Sequence, residues 1–344
     1  MKRLVLLFLL ATTARAGAEP PILVENKACA ASYDAYVASF ERERRGIVAE
    51  IEADLATATG PRRDNLIKGR DEAKAGKPIA QDEFDGVFAP SSPLTCRRLV
   101  YRSEGFKVVA YAVGPRAPGK HPVLFHLRGG NGDFGRVSEW TLVRHFAFYA
   151  RAGYLVIAPQ YRGVDGGEGK DEFGGGELAD VLALPAVARA LPDADPDRLF
   201  LYGVSRGGME AYMALRRGLA VRAAVVHAGM ADADQTIAGR PEMEDVFKQR
   251  VPDYAANKAA ALRARSAVRW AEELTTPILI LQGTADWRVD PSHALAVAAR
   301  MVAARREVSL ILFAGDDHGL SKNRDEARRQ TLRWYAAHGG LAAP

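Results

Sequence analysis

Ser205 stands between glycines in "LYGVSRGGMEAY" (residues 201–212), a Gly-x-Ser-x-Gly pentapeptide directly after the apolar run "RLFLY" and before a helical pattern. A turn this tight presses backbone against side chain, so only small residues fit two positions either side of the serine. The strained turn lifts the hydroxyl, and the N-terminus of the following helix favours negative charge beside it. The chemistry on offer is nucleophilic attack on a carbonyl. A serine hydroxyl is a weak nucleophile at neutral pH, so it needs a histidine to take its proton and a carboxylate to orient the ring.

The chain has seven histidines. His126 and His227 lie in or at the end of apolar strands and read as satisfied core residues. His121 precedes Pro122 at a strand start, and His145, His293 and His338 fall in helical stretches. Only His318, in "AGDDHGL", follows the last strand in a polar, glycine-bearing loop. For the acid, "PILILQGTADWRVDP" puts Asp286 three residues after the strand-ending Gly283. Asp290 precedes Pro291 and Ser292 and reads as a helix cap. Asp316 and Asp317 adjoin His318 and read as loop polarity. The resulting order, Ser205, Asp286, His318, is that of an α/β-hydrolase. Two donors must then meet the developing oxyanion. One is the backbone N–H of Arg206; the other is offered by Gly129 or Gly130 in "FHLRGGNGDFG". Arg128 in that loop and Tyr161 in "APQYRG" are candidate substrate contacts, with a rim aromatic as the other reading of Tyr161.

These residues need a scaffold. From Cys96 to Pro115, "CRRLVYRS" and "FKVVAYAVGP" flank Glu104-Gly105 as an antiparallel hairpin. The runs "PVLFHL", "YLVIAPQ", "RLFLYGV", "RAAVVHAG", "PILILQG" and "VSLILFAG" do not alternate, as expected of parallel strands covered on both faces. Helical patterns separate most of them. The expectation is an α/β fold: a mostly parallel sheet of roughly eight strands with helices on both faces, spanning residues 96–344. Residues 230–270 interrupt the alternation with polar, mostly helical sequence. This excursion is a lid or pocket wall over the strand ends, or a surface insertion. Residues 19–95 read as an N-terminal helical extension, with an apolar stripe through Tyr36, Val37, Phe40, Ile47, Val48, Ile51 and Leu55 and a second, more polar helix from Arg62 to about Ala75. It is either a cap lying on the core or a cover that limits substrate entry.

The start, "MKRLVLLFLLATTARAGAEP", has a basic flank, a short apolar run and a small-residue exit after Ala16 or Ala18, which predicts a signal peptide over residues 1–18 and export to the periplasm or medium. Losing Lys2, Arg3 and Arg15 takes the formal charge from +5 to about +2. The remaining arginines are mixed with Asp and Glu along helices, without the basic and aromatic pattern of a nucleic-acid binder. No later apolar run is long enough for a membrane span. Cys29 and Cys96 are the two cysteines. Export makes a disulfide between them one reading, and two buried thiols the other. Two cysteines without clustered histidines give no zinc pattern. The Gly-rich run at 163–176 lacks the Lys-Ser/Thr ending of a phosphate loop, and acyl transfer through a serine requires no cofactor.

From about residue 99 to 340 the chain resembles the catalytic domain of the prolyl oligopeptidase family within the α/β-hydrolase superfamily. The matching stretches are "YRG", "DEFGGGELADVLALPAVA", "LYGVSRGGMEAYMAL", "VRWAEELTTPILILQGTADWRV" and "GDDHGL". The resemblance implies Ser205 as nucleophile, Asp286 as acid and His318 as base. Many relatives carry His-Gly-Gly-Pro where this chain has Arg128-Gly129-Gly130-Asn131. The residues ahead of the domain read as helices, not as the β-propeller of large relatives, so peptide specificity is not carried over. The expected function is an exported serine hydrolase, a peptidase of this type acting on peptides or small molecules through an acyl-enzyme. A carboxylic ester hydrolase and an inactive binding protein on the same fold are the alternatives.

Overall fold

The computed structural model describes residues 21–56 and 58–343. The segment read as a signal peptide lies outside the described residues. Among the described residues nine strands form one sheet: β1 (Leu23–Ala28), β2 (Leu94–Ser103), β3 (Phe106–Pro115), β4 (His121–Leu127), β5 (Leu155–Pro159), β6 (Ala194–Val204), β7 (Ala223–His227), β8 (Ile278–Gly283) and β9 (Val308–Phe313). Their order is β1-β2-β3-β5-β4-β6-β7-β8-β9. β1, β2, β3 and β5 pair antiparallel in turn, and β5 through β9 run parallel.

The N-terminal extension holds three helices, α1 (Tyr33–Leu55), α2 (Gly60–Ala75) and α3 (Gln81–Phe88). It is not wholly helical, however: β1 adds a ninth strand to the edge of the sheet, registering Asn26 against Leu99. Cys29 and Cys96 are joined by a disulfide with Cα atoms 5.3 Å apart, directly beside that pairing. β1 is short and polar, "LVENKA", so its own sequence carries little strand signal. What holds it is the partner strand and the covalent bond.

The remaining helices are α4 (Glu139–Thr141) and α5 (Ala147–Arg151), linked by one π turn, then α6 (Leu178–Leu182), α7 (Leu184–Arg189), α8 (Arg206–Arg216), α9 (Ala233–Gly239), α10 (Met243–Arg250), α11 (Tyr254–Ala264), α12 (Ser292–Ala303) and α13 (Arg324–Ala337). Strand periodicity divides the core in two. Along β4, Val123, Phe125 and Leu127 face the cluster packed by α6, α7, α8 and α12, whereas Leu124 faces the cluster packed by α3, α5 and α13. The same parity sends His126 of β4, Tyr202 of β6 and His227 of β7 toward the α13 side. These three lie at the carboxyl ends of adjacent parallel strands, where open α/β sheets bind ligands.

Candidate active site

Ser205 sits between β6 and α8 with φ 57° and ψ −122°, a conformation that costs a non-glycine residue about 1–3 kcal/mol. Four backbone bonds hold it there. Its N–H donates to His227 O at 3.0 Å, and its carbonyl accepts from Gly208 N at 2.9 Å, Met209 N at 3.3 Å and Met230 N at 3.1 Å. The flanking glycines are needed sterically: a Cβ at Gly203 would overlap Gly207 O, and one at Gly207 would overlap Leu127 O.

Asp286 follows β8 and is buried. Its Oδ2 lies 2.8 Å from His318 Nδ1 and accepts from Gln282 Nε2 at 2.9 Å. Its Oδ1 accepts from Arg288 N at 2.8 Å and Val289 N at 3.0 Å. Burial alone would raise its pKa, but these bonds, led by His318, hold it below the ordinary carboxylate value. Asp290 instead accepts from Ser292 N at the start of α12. Asp316 is buried and accepts from Asp317 N, Lys322 N, Asn323 N and Asn323 Nδ2, so it frames the loop that carries His318. Ser205 and His318 face one cavity of about 410 Å³, which Gly129, Gly130 and Arg206 also line. Among the described residues, no hydrogen bond is made by the N–H of Gly129, Gly130 or Arg206. The oxyanion loop abuts the nucleophile, since a Cβ at Gly129 would lie 3.1 Å from Ser205 Cβ.

Arg128 and Tyr161 are placed differently from the expectation. Arg128 is 2% exposed. Its guanidinium donates to the carbonyls of Gln160, Gly129, Phe134 and Gly132. Its donors brace the loop, and its side chain lines not the cavity at Ser205 but the neighbouring one described below. Tyr161 is fully buried behind that loop, neither in the cavity nor on its rim. Its hydroxyl donates to Arg128 O at 3.2 Å, and its ring lies under both Arg128 and Arg206.

A charged cluster behind the nucleophile escaped the sequence reading. The Arg206 guanidinium is buried and bonds Asp171 through two nitrogens at 2.7 Å, Glu177 at 2.7 Å and Glu210 at 2.9 Å. It also donates to Gly130 O at 3.0 Å, and Asp171 accepts from Gly132 N at 2.6 Å. The residue after the nucleophile therefore clamps the oxyanion loop to the elbow. One guanidinium cannot balance three carboxylates. Burial opposes ionisation of Asp171, yet Arg206 and two backbone N–H groups outweigh it and hold its pKa at about 2. At Glu210 burial wins over Arg206, and the pKa rises to about 7. The signal available beforehand was the acidic stretch "DEFGGGELAD".

The Peptidase_S9 model, described as the prolyl oligopeptidase family, matches residues 140–341. The chain belongs to the prolyl oligopeptidase family. It is a serine hydrolase with the α/β-hydrolase fold. Among curated proteins it is similar to the uncharacterized peptidase YtmA of Bacillus subtilis, 24% identical over 248 residues, covering 72% of this chain and 95% of that one. It is also 26% identical over 244 residues to dipeptidyl-peptidase 5 of Porphyromonas gingivalis, covering 66% of this chain but 35% of that one. A puromycin-hydrolyzing peptidase of Mycobacterium tuberculosis shares the fold, with a TM-score of 0.61 at 22% identity over 71% of this chain and 40% of that chain. The chain thus spans nearly all of YtmA and well under half of the two larger proteins.

Two helical segments wall the site. Met230, Thr236, Arg240, Glu242, Met243 and Val246 line the cavity at Ser205, so residues 230–250 form a pocket wall. On the opposite side, α1 and α2 touch the loops that carry the site. Glu43 of α1 pairs with Arg136 just beyond the oxyanion loop. Glu72 of α2 accepts from Trp287 Nε1 at 3.0 Å and pairs with Arg288 at 2.8 Å, beside Asp286.

Proposed function

We propose that this family member is an exported serine peptidase that cleaves short peptides through a Ser205 acyl-enzyme. Ser205 Oγ attacks the carbonyl, His318 takes its proton and returns it to the departing amine, and Asp286 holds the imidazole. The N–H groups of Arg206 and of Gly129 or Gly130 stabilise the oxyanion. Water then repeats the sequence to release the acyl group. The observation that carries this reading is Ser205, held at positive φ at the head of α8, sharing a cavity with the 2.8 Å His318–Asp286 pair. Its relatives named as peptidases favour an amide substrate. The acyl cavity combines apolar walls, Phe173, Met230, Met243, Val246 and Val289, with the ion pair of Arg240 and Glu242.

A fluorophosphonate probe is expected to label wild-type protein at Ser205 and to leave Ser205→Ala unlabelled. Ser205→Ala should lower kcat by about 10⁶. Aminoacyl-arylamides and short-chain aryl esters, run in parallel, decide the bond: ester turnover with no amide cleavage would overturn the peptidase reading in favour of an ester hydrolase. Export rests on the basic, apolar and small-residue pattern of residues 1–18, together with the Cys29–Cys96 bond, which suits an oxidising compartment. N-terminal sequencing of the mature protein is expected to start after Ala16 or Ala18; an intact Met1 would refute it.

A further inference from the structure

A second cavity, of about 900 Å³, lies on the other side of His318. The two cavities share Gly129, Phe134, Gly135, Val204 and His318, but Ser205 and Arg206 line only the first. The second is floored by His126, Tyr202 and His227 from three adjacent strands and roofed by Phe40 and Ile47 of α1. Trp140 and His145 close one side. Its rings pack on one another: His126 stacks on Tyr202 at 5.1 Å, and Trp140 meets His145 at 5.1 Å.

The floor is polar yet uncharged. Burial pushes His126 down to about 3 and His227 to about 4, and carries His145 well below its ordinary value, so all three are neutral at physiological pH. Among the described residues, the buried ring nitrogen His126 Nδ1 has no hydrogen-bond partner, which corrects the reading of that histidine as a satisfied core residue, whereas His227 Nδ1 lies 2.8 Å from Tyr202 Oη. The Glu43–Arg136 ion pair stands at the rim. Arg128 and Asp133 also line the cavity, but the Arg128 donors are taken by the carbonyls of Gln160, Gly129, Phe134 and Gly132, Arg136 is paired with Glu43, and Asp133 is exposed. A floor of rings and neutral imidazoles fits a flat, uncharged group, and would strip a charged one of water while the nearby cations are already engaged.

The direction of the chemistry says which half of the substrate lies there. After attack, the acyl carbon stays bonded to Ser205 in the first cavity. The bond that breaks releases the leaving group, which takes its proton from His318. That group must therefore lie against His318, and the space beyond it is the second cavity. We propose that this cavity is the leaving-group subsite of the hydrolase and selects uncharged aromatic or comparably large apolar leaving groups, with α1 as its roof. This rests on the acyl-enzyme reading given above.

Two measurements test it. The first uses wild-type protein and anilides of one acyl group carrying para-CH2-carboxamide or para-CH2-carboxylate, in which the methylene insulates the ring so that the two differ chiefly in charge. The carboxamide is expected to have at least a tenfold higher kcat/KM; equal values overturn the proposal. The second compares a methylamide and a 2-naphthylamide of one acyl group in Ile47→Trp, which fills the roof, and Ile47→Lys, which charges it. Dividing each rate by its wild-type value cancels intrinsic leaving tendency, and kcat/KM reports the step in which the leaving group is still present. The naphthylamide-to-methylamide ratio is expected to fall at least tenfold in whichever variant keeps the wild-type melting profile. Equal losses on both substrates, or a change confined to a series varied in the acyl group, overturn the subsite while leaving the hydrolase standing. If wild type turns over none of these substrates and Ser205 takes no probe, the underlying reading and this proposal fall together.

Discussion

Ser205 and His318, the proposed nucleophile and base, sit a few residues past the ends of β6 and β9, yet they are held by opposite means. Behind Ser205 the packing is buried and charge-dense: glycines without room for a Cβ, and Arg206 bound to three carboxylates between the rings of Tyr161 and Phe173. Around His318 the loop is half-exposed, organised by one buried carboxylate, Asp316, and flanked by neutral histidines. The contrast matches what the proposed mechanism asks of each group. There the serine has to occupy one strained geometry, so its surroundings are over-determined. The histidine hands a proton to a leaving group that comes and goes, which calls for open space.

That contrast can be broken at either end. On the base side, Asp286→Asn should lower kcat by about 10⁴ while the melting temperature changes little, because the ring loses its tautomer and not its place. On the nucleophile side, Arg206→Met leaves buried carboxylates without their cation and should destabilise the fold by about 3–5 kcal/mol, measured by denaturant unfolding. If it melts like wild type, the cluster is not what fixes the elbow. Asp316→Ala should cost about 1–3 kcal/mol by leaving loop N–H groups unsatisfied, with kcat/KM falling along with it; an unchanged kcat/KM would show that the loop needs no such frame.

The smallest effect sharpens the comparison through pH. Glu210 titrates near 7 in the folded protein against an ordinary 4.5. The folded state thus holds this proton more tightly, and the contribution is full below about 4.5 and lost as the pH rises through 7. Asp171, held at about 2 against 3.8, has the opposite sign: its contribution is present above 3.8 and lost as the pH falls toward 2. Between pH 4.5 and 7 the melting temperature of wild type should therefore fall relative to that of Glu210→Gln. Parallel curves would mean that Glu210 stays ionised throughout.

The elbow, the order of Ser205, Asp286 and His318, and the alternation of strands and helices were all legible in the sequence, because each is written in local spacing. What escaped it depends on partners far along the chain. The strand of Leu23–Ala28 exists through Leu94–Ser103, some seventy residues away. Arg128 reads as a substrate contact and Arg206 as a backbone donor alone until the carbonyls and carboxylates that bury their side chains are brought in from other loops. His126, Tyr202 and His227 share a face only once three strands lie side by side in register. Strand parity could have placed each on its face, but not beneath α1.

The bond between Cys29 and Cys96 closes α1, α2 and α3 into a covalent ring, since the chain also runs directly from α3 into β2. A protease that nicks this ring anywhere opens it without detaching either piece. The roof over the leaving-group cavity would survive such a cut as two strands of one molecule, and would be shed only when cutting and reduction occur together.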